Sequence, residues 1–397
     1  MASSKSGTSA KKPTSDFKPQ PIVLTALDGF LLSGTLYLPP GPIVTTPPAA
    51  TASSNDPSDL SSTARYKQQE EPLTKVVIIS SATAVLQDFY YKFALYLSQE
   101  LGMIVVTYDN RGVGRSMPNS EELLYLKAAT DNDPYPSGTT ASSPVPPKAT
   151  SGKPKDADKS KKNPLIGFEA TIVDWSLRDL PGVFNYVLAR FPHNPTLYVG
   201  HSVGGHILPA VDAYYTRNLE RVLFVSVTSA HWRHMNSPLF TYFFFYIASP
   251  IVNSHYGFYP GKTLWNTMED LPKGCLETWA HWGSFRNYVL GGNPEWKPNF
   301  DAFKVPIYSI YFSDDDYSST SSPLIMSLIP NTLRRCVGVN PVEDLNMKKV
   351  GHMGFFFNSC KEKLWKTVVR SWFVDGHALD RDAIKEQATL TSSYARL

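Results

Sequence analysis

Five short runs of Val, Ile, Leu and Phe recur along the chain, each separated from the next by a helical pattern or an insertion. They are "KVVIIS" (75–80), "MIVVTYD" (103–109), "TLYVG" (196–200), "RVLFVSV" (221–227) and "VPIYSIYF" (305–312). Runs this apolar do not suit strands with water on one side; they suit a parallel sheet covered by helices on both faces. "DFYYKFALYLSQEL" (88–101), "TIVDWSLRDLPGVFNYVLARF" (171–191) and "SCKEKLWKTVVRSWFV" (359–374) supply the helical patterns. Ahead of them, "PIVLTALDGFLLSGTLYLP" (21–39) reads as a hairpin that turns at Asp28-Gly29. The fold class expected is α/β.

Composition shows where the folded body is interrupted. Of 397 residues 42% are apolar and 32 are proline, which fits one globular body carrying unstructured insertions. Residues 1–17 are expected to form a disordered tail, 18–375 a single domain with insertions at 41–73 and about 130–163, and 376–397 a C-terminal tail. Residues 229–304, rich in Trp, Tyr, Phe and His, break the alternation between two strands and are expected to cap the sheet's carboxyl edge. A formal charge of +3 points to neither a nucleic-acid nor an acidic-membrane partner, and the lysines of "SGKPKDADKSKKNP" (151–164) read as a solvated linker. Cys275, Cys336 and Cys360 are too few and too scattered for a disulfide framework, which favours a reducing, intracellular setting. The N-terminus has the pattern of neither a signal peptide nor an anchor. "PLFTYFFFYIASPIV" (238–252) is too short to span a bilayer and is interrupted by Pro250, so it reads as a buried or pocket-lining helix of a soluble chain.

One motif carries chemistry. Gly200-His201-Ser202-Val203-Gly204 is G-x-S-x-G with a strand before it and a helix pattern after it, the context of a nucleophile elbow. Such a turn projects the serine from the sheet and sets the Val203 N–H at a helix start, facing a developing oxyanion. A serine needs a base, and the base an orienting acid, in the chain order Ser, acid, His. Asp314, Asp315 and Asp316 follow the strand at 305–312, and His352 lies between glycines before the last long helix. Asp315 is the first choice for the acid and Asp314 the second; at least one of the three belongs to a solvated turn or a weak Mg²⁺ or Ca²⁺ site. His231 and His234 lack an evident third ligand, so no metal is expected there. The Gly-rich loop with Asp109 and Arg111 lacks phosphate-loop spacing and reads as held by an Asp109–Arg111 pair.

The chain resembles the α/β-hydrolases, and within them the serine-aminopeptidase-like hydrolases of bacteria and fungi. The resemblance rests on "SSATAVLQDFYYKFALYL", "VTYDNRGVGRSMP", "DWSLRDLPGVFNYVLARFP", "YVGHSVGGHIL", "HYGFYPGKTLWNTMEDLP", "FSDDDYSS" and "VGHMGFFF". It implies a mostly parallel sheet with helices on both faces and a helical cap, Ser202, Asp315 and His352 as a triad, and ester, thioester or amide hydrolysis without a cofactor. It departs from its relatives at Ser80-Ser81-Ala82-Thr83, where such proteins usually carry glycines. That loop is expected to give the second oxyanion N–H, from Ala82 or Thr83, with the Ser80 or Ser81 hydroxyl as an alternative.

The expected substrate is a small apolar ester or thioester, because the cap is aromatic and poor in charge. An acyltransferase using the same acyl-enzyme, and a non-catalytic binding protein of this fold, are the rival readings. Ala395-Arg396-Leu397 fits the small–basic–leucine pattern of a peroxisomal address, which implies an import receptor as partner and a peroxisomal location; with an accidental ending the expected location is cytoplasmic.

Overall fold

A computed structural model describes residues 19–45, 72–130, 163–266, 268–317 and 320–394. Eight strands form one sheet: β1 (Gln20–Thr25), β2 (Leu31–Tyr37), β3 (Val76–Ser80), β4 (Ile104–Tyr108), β5 (Thr196–His201), β6 (Leu219–Val225), β7 (Ile307–Phe312) and β8 (Arg334–Val339). Their spatial order is β1-β2-β4-β3-β5-β6-β7-β8. Only β2 runs against its neighbours β1 and β4; every other pair is parallel. This is the α/β-hydrolase fold, with the hairpin expected at Asp28-Gly29 at one edge.

Side chains alternate across the sheet, so each strand feeds two separate cores. Val76, Ile78, Ile104, Val106, Tyr198, Val222 and Phe224 join one core beneath Trp175, Val183 and Phe184 of the helical run 172–190. Val77, Ile79, Val105, Leu197, Val199, Leu223 and Val225 join the other, beneath Phe93, Leu97, Trp365 and Phe373. Burial on both faces explains why these strands carry almost no polar residues. Strand β8, "RRCVGV", is an edge strand whose first two residues are exposed, and it gives no such apolar signature. Between β6 and β7 the described chain makes a cap of helical segments, including Lys273–Gly283, Tyr288–Gly292 and Lys297–Ala302.

Three expectations need correction. The segment 238–252 is helical, as Pro238–Phe243, Phe244–Ala248 and Ser249–Tyr256, and lines a pocket through Phe245, Tyr246 and Ser249 as expected, but only one side is buried: Leu239, Phe240, Phe243, Ile247 and Ile251 all face outward. Residues 376–397 are not simply a tail. Arg381–Tyr394 is a helix whose Ile384 and Ala388 pack into the second core, and Arg381 pairs with Asp344. Arg111 does not pair with Asp109. Its guanidinium lies 2.7 Å from both Asp179 and Asp28, while Asp109 accepts from the Gln87 and Arg115 backbone N–H groups. The Ala395-Arg396-Leu397 terminus and most of both expected insertions lie outside the described residues. No helix among the described residues is long and apolar enough to cross a membrane.

Asp179 is fully buried, and burial pushes its carboxyl up to about 7 even though Arg111 pulls it down. Removing it strands a buried guanidinium on the half-exposed Asp28. Asp179→Ala is therefore expected to lower unfolding stability by about 3 kcal/mol, against less than half of that for Asp28→Ala, in denaturant titrations.

Candidate active site

β5 ends at His201, a helix begins at Val203, and Ser202 between them adopts φ 52°, ψ −114°. A side-chain-bearing residue in that region is strained, and the surrounding packing must hold it there. Both flanking glycines are required by close approach. A Cβ on Gly204 would stand 2.4 Å from the Ser80 carbonyl oxygen, and one on Gly200 would stand 2.9 Å from the Gly205 backbone. Val203 N–H, first in its helix, has no intrahelical acceptor.

The three aspartates after β7 take three different partners. Asp314 accepts from two consecutive backbone N–H groups, Val350 at 2.8 Å and Gly351 at 3.0 Å, and so clamps the loop that carries His352. Asp315 Oδ2 lies 2.8 Å from His352 Nδ1, and its other oxygen accepts from Tyr317 N–H at 2.9 Å. Asp316 pairs with Lys349 at the surface. A carboxylate accepts, so His352 Nδ1 carries the proton and Nε2 of the neutral ring is left as a lone pair. Tyr317 meets the imidazole edge-on at 4.9 Å, and Asn236 of the cap donates to the Asp315 carbonyl at 2.7 Å. No hydrogen bond joins Ser202 Oγ to His352 among the described residues.

His201 brings the two loops together. Its Nε2 lies 3.0 Å from the His352 carbonyl, which can only accept, so Nε2 donates. Nδ1 then accepts from the Tyr90 hydroxyl at 2.8 Å, and Tyr90 Oη in turn accepts from Ala82 N–H at 2.9 Å. Burial holds the His201 ring well below the ordinary histidine pKa, and the ring sits 5.2 Å from that of His352. Sequence reasoning missed Tyr90, Asn236, Tyr317 and this use of His201; none of them lies in a motif that announces it.

The oxyanion assignment to Ala82 does not survive this geometry, because its N–H is already spent on Tyr90. Ser80 is no substitute: its hydroxyl is buried against Tyr108 Oη at 2.9 Å. Thr83, partly exposed in the next turn, donates its N–H to no described residue. The turn closes through Ala84 at φ 59°, where a glycine would sit without strain. In the cap, His231 Nδ1 is 2.8 Å from the Gly283 carbonyl and His234 Nδ1 is 3.3 Å from Ser229 Oγ. Among the described residues no group of three or more His, Cys, Asp and Glu is arranged to hold a metal.

No protein-family model and no curated protein matches the sequence. Among solved structures, the chain is similar to an esterase domain from Rhodothermus marinus at 12% identity, covering 96% of this chain and 98% of that one, TM-score 0.41. A carboxyl esterase from Bacillus coagulans is similar at 10% identity, 81% and 90% coverage and TM-score 0.40. A lipase-esterase related protein from Clostridium acetobutylicum is similar at 11% identity, 72% and 90% coverage and TM-score 0.39. The fold assignment itself rests on the strand order and on the elbow at Ser202.

His206, one turn after the elbow, donates from Nε2 to the Thr228 carbonyl at 2.9 Å, and burial lowers its pKa to about 4. Its folded pKa lies below the unfolded value of about 6.5. The stability held by the neutral ring is therefore complete above that value and is lost as pH falls toward about 4. His206→Gln is expected to remove up to about 1.4 kcal/mol per pH unit from the slope of stability in that window, read from denaturant midpoints against pH.

Proposed function

We propose that the chain is a serine hydrolase that cleaves an apolar carboxylic ester or thioester through an acyl-enzyme. Ser202 Oγ attacks the acyl carbon while its proton passes to His352 Nε2, and the imidazolium returns that proton to the departing alcohol or thiol. Water then attacks the acyl-enzyme by the same route and releases the acid. Asp315 orients the imidazole and stabilises its charged form, and the oxyanion is held by the N–H groups of Val203 and Thr83. The Ser202–His352 contact closes when substrate is bound, as catalytic hydrogen bonds do when they are open in the resting enzyme.

The observation that carries the reading is the 2.8 Å contact of Asp315 with His352 Nδ1, on a ring packed against the residue that precedes Ser202. The apolar substrate class is supported by the aromatic composition of the cap, whose buried side chains include Phe245, Trp282 and Tyr288. Placement with the serine-aminopeptidase-like hydrolases belongs to the same proposal and rests on the motifs quoted above.

Turnover of p-nitrophenyl esters of increasing chain length tests it. Ser202→Ala is expected to abolish turnover and Asp315→Asn to reduce kcat about 10⁴-fold, because the asparagine favours the wrong tautomer. Asp316→Asn should leave kcat within about twofold, as loss of an exposed pair costs little. Unchanged turnover in Ser202→Ala would remove the proposal.

A further inference from the structure

The cap helix 238–256 is apolar on both sides. Its buried line is Thr241, Phe245, Ser249 and Asn253, flanked by Phe244, Tyr246 and Val252, which pack partly buried against the core. Its outward line is Leu239, Phe243, Ile247 and Ile251, with Phe240 beside the first two; Leu239 is 82% and Ile251 66% exposed. A helix serving a globular core turns its apolar stripe inward. Here a second apolar stripe faces out, while the inner face packs on the core and borders a cavity of about 330 Å³ lined by Phe245, Tyr246, Ser249, Asn253, Glu277 and His281. A wider π-type turn at Phe244–Ala248 keeps residues four apart on one line, so the outward side chains form a straight stripe along a helix about 28 Å long. Leu264 and Trp265 extend it sideways, with Trp265 meeting Phe244 at 6.0 Å.

We propose that this face seats the protein on an anionic phospholipid bilayer, the helix lying flat in the interface with Leu239, Phe240, Phe243, Ile247 and Ile251 among the acyl chains. Three observations select that occupant. Between Asn236-Ser237 and Ser254, the exposed side chains of the helix offer only the Tyr242 hydroxyl for hydrogen bonding. A protein partner would need a donor or acceptor about every 100–200 Å², whereas hydrocarbon needs none. Neither Asp nor Glu occurs between Glu220 and Glu269, so the helix itself carries no carboxylate to oppose an anionic surface, and the exposed Glu277 lies on its inner, cavity side. Arg233, the exposed cation before the helix, stacks on Trp232, whose ring meets Tyr242 at 5.2 Å; Trp and Tyr with a basic residue suit the headgroup level. The stretches 1–18, 46–71 and 131–162 offer only Met1, Phe17, Leu60, Tyr66, Tyr135 and Val145 as bulky apolar residues, scattered among Ser, Pro, Thr and Lys. The local charge of this face, rather than the near-neutral net charge of the chain, is what a membrane meets.

The test is co-sedimentation of the full chain with vesicles of phosphatidylcholine alone and of phosphatidylcholine with phosphatidylserine; the readout needs no turnover. The wild type is expected to pellet with the anionic vesicles, and less so as salt rises. Phe243→Glu and Ile247→Glu are each expected to reduce the bound fraction at least about tenfold. Leu333→Glu, more exposed than either but at the amino-terminal end of the sheet, should bind as the wild type does. The substituted positions face outward, so thermal melts should be unchanged; Leu239→Gln supplies a milder variant that weakens binding in the same direction. Absence from both pellets, or equal binding by the glutamate variants, overturns the proposal. Equal pelleting with neutral vesicles overturns the anionic preference. A dimer that these substitutions abolish, without vesicle binding, assigns the face to a second copy and overturns it too.

Discussion

The imidazole of His201 ties three loops at the carboxyl edge of the sheet into one unit. Its Nε2 donates to the backbone of His352, its Nδ1 takes the Tyr90 hydroxyl proton, and Tyr90 fixes the Ala82 N–H of the loop after β3. Each ring nitrogen faces a group that would otherwise be buried unsatisfied, at a cost of about 1–3 kcal/mol apiece. The arrangement works only while the ring is neutral, since a protonated Nδ1 could not accept. Burial enforces that state. The residue before Ser202 thus controls where the His352 loop and the loop after β3 stand relative to the elbow.

Beside it, the three aspartates divide the remaining work. Asp314 collects the N–H groups of Val350 and Gly351, and the φ of 62° at Gly351 then turns the chain on to His352, so the backbone of this loop is fixed. Asp315 is left to the ring itself, and Asp316 to solvent and Lys349. Loop position and ring orientation are therefore set by different carboxylates. Exchanging the roles of Asp314 and Asp315 would require the strand end to shift by a residue, which flips alternate side chains to the other face.

The parts of this structure written in local pattern were legible in the sequence. Strands buried on both faces announce themselves by unbroken Val and Ile, and Ser202 by its glycines. The elbow implied the chain order Ser, acid, His, and left Asp315 and Asp314 as first and second choice for the acid. Strand β8 was missed because an edge strand needs only one apolar side, and the helix 381–394 because two buried residues, Ile384 and Ala388, are a faint signal in a polar segment. Ala82 was misjudged for a reason that no local pattern contains: its N–H is claimed by a tyrosine eight residues on, itself placed by a histidine on another strand. The apolar segment 238–252 was legible on its pocket-lining side and not on its outer one. Hydropathy says what a helix is made of; only tertiary structure says which way its apolar side faces.

The central claim is that Ser202 is the nucleophile presented by this edge. The most direct measurement is to treat the intact protein with a fluorophosphonate and locate the adduct by tandem mass spectrometry of its peptides. The expected result is a single phosphonylated residue, Ser202, with the adduct lost after denaturation before treatment. An adduct on Ser80, Ser81 or another hydroxyl, or none at all on the folded protein, would contradict it.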